Sequence, residues 1–377
     1  MSSVTARAPG PHGLHGLHEL DELPAGASGR EVWRALGRAG LIEQVYRDGA
    51  VPAGVDATRL GRLLAAVDER FPVGTTLSVC VQLATVLPVL ASGAGPAAWA
   101  LARGVGGEAV TALAATDGGT GSDLTALATE VRLDEAEIEV TGVKRWITNA
   151  TAADEFLVLA RHRPGRHFTN FTWVLVPAAA PGVTVTPADT SLFAGAGVGH
   201  VRFDRVRLAG RHVVGRRGRG LPSFARHIGT ERLAGALWAV ALCRRTLAAT
   251  RRRLAERPHG DGVLWDLDGV RQRFAGCVVD VRQLDALTRE FGDRITRGRD
   301  SGAAALLKAA VGRTVDRVLA ECAQLQGADG FGSGGAQALR AQAAVFGIGG
   351  GVTEVVLSAV ADDALAWLAD LGTTSRS

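Results

Sequence analysis

The sequence predicts a mainly α protein with a central β domain. Two changes of apolar period carry this reading. The pattern is helical from Arg30 to about Ala112, switches to period two from Val131, and returns to helical from about Leu221 to the C-terminus. The third observation is length: 377 residues are enough for two or three packed layers and a sizeable core. Solenoid repeats are missing, and no early G-x-G-x-x-G lies between a strand and a helix, which argues against a Rossmann dinucleotide site. The expected division is a mobile tail over 1–29, an N-terminal helical domain over 30–113, a central β domain over 114–215 and a C-terminal helical bundle over 216–377.

The tail is rich in Gly, Pro, Ala and His. His12, His15 and His18 recur every three residues, but their Gly-Pro setting reads as mobile chain rather than a metal site. Val32, Leu36 and Leu41 fit one helical face, and Gly40 offers a helix end. Residues 58–70 form a second helix with Leu60, Leu63, Leu64 and Val67 inward. Thr76 to Leu90 is nearly all apolar and broken by Pro88, the pattern of a buried helix. Pro96 starts the next helix, through Trp99 to Val105. Val131, Leu133, Ile138 and Val140 then mark a hairpin around Asp134-Glu135. Further strands follow at Phe156–Ala160, Phe171–Val176, Val183–Val185 and Val201–Phe203, with turns at Pro164-Gly165 and Pro181-Gly182. Together these make a compact antiparallel sheet. Long helices over about 222–256, 264–298, 302–327 and 352–370, with short joins, predict an antiparallel bundle.

Composition narrows the function. Hydrophobic content of 47% and charged content of 21% describe a globular protein. The formal net charge is only +4, and nearly all cations are arginine, with Lys144 and Lys308 the only lysines. That looks like a coding bias, so the basic pI does not argue for nucleic acid. The nearest Arg cluster, Arg216-Arg217-Gly-Arg219, is short, sits at the predicted junction and lacks interleaved aromatics. Cys80, Cys243, Cys277 and Cys322 are far apart with no metal spacing, as buried thiols in a reducing cytoplasm would be. No secretory segment and no run of about 18 apolar residues is read, so no membrane span is expected.

The chemistry concentrates in Ala114–Asn149. Two hydroxyl-bearing, small-residue corners, Thr116-Asp-Gly-Gly-Thr-Gly-Ser122-Asp123 and Lys144-Arg-Trp146-Ile-Thr148-Asn149, flank the first hairpin. A loop and a strand end of this kind supply backbone N–H groups, hydroxyls and a stacking surface. Those are the groups that a flavin ring needs when its reduced form carries charge.

The two corners and the helix–sheet–helix order resemble the acyl-CoA dehydrogenase family over nearly the whole chain after the tail. The first corner is similar to the family's T-E-P-x-A-G-S-D, the second to K-x-W-I-T-N. The resemblance implies an N-terminal helical domain, an antiparallel β-barrel or sandwich domain and a C-terminal four-helix bundle, with FAD bound between domains and across a subunit interface. It implies that Thr116, Gly121 and Ser122 contact the cofactor, Ser122 also reaching the thioester, and that Trp146 and Thr148 lie against the flavin near N5.

Three later motifs extend it. Gly229-Thr-Glu231-Arg232 resembles L-x-x-E-R. Arg257 stands where the family has R-x-x-F-G and uses the Arg on the FAD diphosphate of a neighbouring subunit; here Gly260 and Asp261 replace Phe and Gly. Gln324-Leu-Gln-Gly327-Ala-Asp-Gly330-Phe331 resembles Q-x-x-G-G-x-G-Y, whose Gln contacts FAD from the partner. A homodimer or homotetramer is therefore implied.

The usual base is missing. The family's E-G-T-S-E reads here Ile348-Gly349-Gly350-Gly351-Val352-Thr353-Glu354, which places Gly350 where the base normally stands and Glu354 at the cofactor. Members resembling isovaleryl-CoA and long-chain acyl-CoA dehydrogenases have Gly there and take the base from the E-R element, which assigns catalysis to Glu231 and substrate contacts to Arg232, Gly350 and Gly351. The reaction so implied removes the α-proton of an acyl thioester while flavin N5 accepts hydride from the β-carbon. The loop Leu192–His200 lacks the Arg and hydroxyls of the family's L-G-x-R-x-S-x-T, so the thioester is carried either by CoA or by an acyl carrier protein. Electron-transfer flavoprotein and oxygen are the alternative acceptors. Two other readings stay open: an oxidase or monooxygenase acting on a biosynthetic intermediate, and a partner subunit that has lost FAD affinity.

Overall fold

A computed structural model describes residues 13–371 except Thr120, Ser122 and Glu135. The chain divides between Phe224 and Ala225 into two compact units.

The first unit joins helices to the sheet. Helix α1 (Gly29–Arg38) starts at a reciprocal capping box of Ser28 and Glu31. It buries Val32, Trp33 and Leu36, and the Trp33 indole N–H donates to Ala109 O at 3.1 Å. Gly40 adopts φ +65°, a left-handed conformation that suits glycine at a helix end. Helix α2 (Ala57–Arg70) is capped by Asp56 and buries Leu60, Leu63, Leu64 and Val67, the inward set expected from their spacing. Each such side chain contributes roughly 1.5–3 kcal/mol by leaving water. Part of the expected tail is not tail at all. A 3-10 turn at Leu17–Glu22 docks with Leu20 fully buried, and Gln44 bonds the His15 backbone.

Helix α3 (Val73–Leu90) does not break at Pro88. It widens into a π-turn over Gln82–Val86, where the Leu87 N–H donates to Gln82 O. Proline has no N–H to return to the preceding turn and its ring crowds that turn, so the wider turn absorbs both faults. This helix has the length and hydropathy of a membrane span, yet 83% of it is buried. The second stretch of that kind, Ala336–Asp362, is interrupted by the Gly349–Gly351 turn and is three separate helices. Helix α4 (Pro96–Val105) starts at its proline as expected.

Eight strands follow: β1 (Thr111–Ala114), β2 (Glu130–Leu133), β3 (Glu137–Ile147), β4 (Glu155–Arg161), β5 (Phe171–Pro177), β6 (Val183–Pro187), β7 (Gly199–Ala209) and β8 (Val213–Val214). They form one sheet in the order β6-β7-β3-β2-β4-β5-β8, with β1 added on β4. The sheet is not purely antiparallel, because β1 pairs parallel to β4 from Thr111↔Glu155 to Ala114↔Val158. Period two could not reveal β1, whose four residues Thr-Ala-Leu-Ala are nearly all buried and do not alternate. One face packs Val140, Ile147, Phe156, Val158, Val174 and Phe203; the other packs Leu157, Leu159, Phe171 and Trp173 with residues of α3 and α4.

The second unit is helical. Helix α5 (Gly220–Glu256) leads into it, then a small hairpin, β9 (Pro258–His259) with β10 (Gly262–Val263). Helices α6 (Asp268–Thr296) and α7 (Ser301–Gln326) follow. Helix α8 (Ala336–Ala343) and the short α9 (Val345–Ile348) were not expected from sequence. The last long helix is split at Asp363 into α10 (Thr353–Asp362) and α11 (Ala364–Asp370).

Candidate active site

The candidate residues fall into three sets, one in the first unit and two in the second. In the first unit, the Thr116 corner and the end of β3 are tied together. Thr116 Oγ1 donates to Arg145 O at 3.3 Å, and Arg145 N–H returns a bond to Thr116 O at 3.2 Å. Beneath them lies an ion pair: Lys144 Nζ sits 2.6 Å from Asp117 Oδ1, with the lysine side chain fully buried. The ammonium also donates to Ala115 O at 3.0 Å and Leu159 O at 2.7 Å. Asp117 accepts from the backbone N–H groups of Ala128 and Thr129 at 2.7 Å each, and from Thr129 Oγ1 at 2.9 Å. Burial pulls the Lys144 ammonium down to about 8, against the opposing pull of Asp117. With every polar atom answered, the pair fixes the two corners to one another.

Above this clamp, β3 carries one extra residue. Lys144 pairs with Val201 and Ile147 with Gly199, so three steps on β3 face two on β7. The bulge throws Trp146 outward at φ +57°, with its indole 58% exposed. Its backbone N–H donates to His200 Nδ1 at 3.1 Å, and the imidazole meets the indole edge-on at 5.4 Å. A bulky residue held at positive φ costs of order 1–3 kcal/mol, and such strain clusters at binding sites. Thr148 is half-buried one residue beyond Ile147. Gly121 takes φ +51° and, like Gly119, would meet nothing with an added Cβ. An outward indole, hydroxyls and an open glycine corner are the stacking surface and donors that fit an isoalloxazine ring. Ser122 lies outside the described residues.

In the second unit, Glu231 and Arg232 lie on α5 and face the Gly349–Gly351 turn. Gly350 has φ +72°, and an ideal Cβ on it would lie 3.6 Å from Arg232 Cγ, 3.7 Å from Lys308 Cε and 3.8 Å from Glu231 Oε1. The Glu231 carboxylate therefore borders the space that a side chain at 350 would enter. Arg232 Nε donates to Gly350 O at 3.0 Å, which pins the turn to α5. Lys308, on α7, is buried and bonded to Phe346 O. Burial and the Arg232 guanidinium lower its ammonium to about 8, while Glu231 and Glu354 act the other way. Glu354 itself is exposed in the first turn of α10.

Also in this unit, Arg257 reaches the exit of α7. Its Nη1 lies 3.4 Å from Gln326 O and 3.6 Å from Asp329 Oδ2. Gly327 turns there at φ +61°. Gln324 is exposed, whereas Gln326 is buried, donating to Thr250 Oγ1 at 2.8 Å and accepting from Ala336 N–H at 3.1 Å. The inner glutamine thus holds the turn, while the outer one is exposed two residues earlier on the same helix end. The replaced Phe-Gly of the arginine motif is the tip of the β9–β10 hairpin, where Gly260 has φ +57°. A guanidinium, an outward amide and a glycine turn form a donor set that fits a diphosphate.

Sequence reasoning missed Lys308 and His200 as site residues. Lys308 carried a signal: where almost every cation is arginine, both lysines are buried, Lys144 at a motif position. His200 carried none, because the bulge that brings it to Trp146 is a pairing feature.

Helices, an eight-stranded sheet and a second run of long helices define a helix–sheet–helix class of fold. Residues 112–206 match the family model of the acyl-CoA dehydrogenase middle domain, and residues 218–365 that of the acyl-CoA dehydrogenase C-terminal domain. The chain belongs to the acyl-CoA dehydrogenase family, FAD-dependent enzymes acting on CH–CH bonds. Among curated proteins it is 27% identical over 314 residues to the acyl-[acyl-carrier-protein] dehydrogenase MbtN of Mycobacterium sp. (strain MCS), covering 80% of this chain and 77% of that protein. Its fold matches an FAD complex of PigA with TM-score 0.83 at 18% identity, covering 90% of each chain. It likewise matches butyryl-CoA dehydrogenase from Megasphaera elsdenii with TM-score 0.81 at 18% identity, over 90% of this chain and 91% of that one.

Proposed function

We propose that the protein is an FAD-dependent acyl-thioester dehydrogenase whose base is Glu231, acting on an acyl group borne by a carrier protein. The observation that carries the base assignment is the 3.8 Å between Glu231 Oε1 and the position of a Cβ at Gly350. A carboxylate from α5 borders the place from which the C-terminal turn would otherwise supply one.

Each residue then has a task. Glu231 accepts the α-proton, a role that a positioned carboxylate fills with roughly 10²–10⁴-fold effect. Lys308 and Arg232 surround it with positive charge, and Arg232 keeps the glycine turn close. Trp146 and Thr148 present a face and a hydroxyl to the ring, with Thr116, Gly121 and Ser122 along its polar edge. Arg257, Gln324 and Gly327 hold the diphosphate half of the cofactor of a neighbouring copy, with Glu354 nearby. FAD, when bound, supplies the acceptor for the β-hydride. The carrier-protein form of the substrate is supported by the similarity to MbtN and by the loss of the arginine and hydroxyls from the loop 192–200. Four buried free thiols suit a reducing cytoplasm.

Anaerobic mixing of the FAD-loaded protein with a panel of CoA and carrier-protein thioesters tests the reading. Bleaching of the flavin with formation of the α,β-unsaturated thioester is expected. Turnover only in the presence of oxygen, giving a hydroxylated product, would replace it with a monooxygenase. Protein that takes up no FAD would make it a non-catalytic subunit.

A further inference from the structure

The short cluster Arg216-Arg217-Gly-Arg219 reads in sequence as an isolated run without aromatics. Its surroundings in the fold are different. The four residues close a turn, Arg219 N–H donating to Arg216 O at 3.0 Å. That turn is pressed onto the start of β5 and the β4–β5 connection: Gly218 N–H donates to Thr172 Oγ1 at 3.0 Å, and a Cβ on Gly218 would lie 2.8 Å from Thr169 O. His162 lies within the field of both Arg217 and Arg163, and these charges join burial in holding its imidazolium below the usual range. The connection adds the exposed Arg163 and Arg166, and an exposed Phe168 whose ring lies 4.6 Å from that of His167. Arg166 pairs with Asp123 at 3.4 Å, so the patch borders the loop at Asp123, next to the first corner. Among the described residues, no carboxylate lies within ion-pair distance of Arg163, Arg216, Arg217 or Arg219.

This is a concentration of charge, not a sample of the average surface. The whole chain carries only +4, whereas the patch sets five exposed arginines and a phenylalanine around two adjoining loops. Exposed arginines, four of them without a carboxylate partner among the described residues, with an apolar residue among them suit a partner that is anionic and offers a small apolar contact, since charge steers the encounter and the apolar group holds it. A long like-charged polymer would need a longer groove than two short loops provide.

We propose that the surface formed by Arg163, Arg166, Phe168, Arg216, Arg217 and Arg219 docks the acidic carrier protein that brings the thioester to this corner. The inference rests on the carrier-protein reading of the substrate, and its binding readout does not need turnover. The probe is the holo acyl carrier protein of bacterial fatty-acid synthesis, titrated into the FAD-loaded protein by calorimetry.

Wild type binds it more weakly as sodium chloride rises from 50 to about 300 mM, and Arg163→Glu with Arg217→Glu weakens binding at least tenfold. Bleaching by an acyl-pantetheine, which has no carrier to dock, stays within about twofold. Arg163→Gln with Arg217→Gln, gentler to folding, gives a smaller loss in the same direction. Equal carrier affinity in both variants and wild type overturns the proposal. So does an equal loss of affinity for free CoA, which would make the patch a nucleotide-phosphate site, or tighter binding of a single-stranded oligonucleotide than of the carrier. If no thioester bleaches the flavin while carrier binding still depends on the arginines, the dehydrogenase reading falls and the docking surface stands.

Discussion

At Gly350 the left-handed φ of +72° and the nearness of Lys308 and Arg232 make a direct test of the base position possible. Glu231→Gln keeps the shape of the side chain and removes the proton acceptor. Adding Gly350→Glu to that variant places a carboxylate on the neighbouring backbone at a strain of about 1–2 kcal/mol. The double variant is expected to reduce its flavin about tenfold faster than Glu231→Gln alone; no recovery would mean that the two positions do not serve the same proton. His227, one helical turn before Glu231, gives a pH signature. Burial, reinforced by Arg226 and Arg299, pushes its imidazolium down to about 4 from an ordinary 6.5. The unfolded chain therefore binds a proton that the folded chain refuses, so this contribution is fully present above pH 6.5 and is lost as pH falls towards 4. Urea midpoints at pH 7 and pH 5 should differ more for wild type than for His227→Gln. Glu231 was legible because its neighbour Arg232 completes a motif, and Lys308 was not, because only the fold brings α7 to the glycine turn.

Among the elements, β3 does most to organise the Thr116–Trp146 corner. Its alternation is readable until Lys144, and then Arg145 and Trp146 both face outward because of the bulge. Periodicity predicts a strand there but not the extra residue, which depends on the register of β7. The same limit hid β1, which pairs with a strand about forty residues later, and the π-turn that lets α3 pass Pro88. Helix faces were easier to read, since a 3.6-residue spacing is local and Leu60, Leu63, Leu64 and Val67 needed no distant partner to identify them. The clamp under the bulge makes a prediction at this scale. Lys144→Met leaves Asp117 buried without its cation and is expected to cost roughly 3–5 kcal/mol, seen as a lower urea midpoint together with weaker FAD retention. Adding Asp117→Asn, which removes the stranded charge, should return part of the stability; a fully additive loss would show that the pair is not coupled.

For the whole molecule, the helix–sheet–helix order was legible because each change of period spans tens of residues, while the docked Leu17–Glu22 turn was hidden in a tail-like composition. The proposed cofactor site also bears on assembly. Arg257 and Gln324 are exposed, and Phe331, Ile348, Leu365 and Leu368 leave large apolar side chains on the surface of the second unit. If those residues complete the FAD site of another copy, sedimentation should find a dimer or tetramer, and Arg257→Glu should release FAD; a monomer that retains FAD tightly would refute the assignment of Arg257 and Gln324. The proposed transfer of the α-proton to Glu231 is the step on which the reaction turns. It is tested most directly by anaerobic stopped-flow reduction of FAD-loaded protein with one reactive acyl thioester, comparing wild type with Glu231→Gln at equal FAD content. A rate at least a hundredfold lower in the variant is expected, with thioester binding retained; bleaching at the wild-type rate would show that Glu231 is not the base.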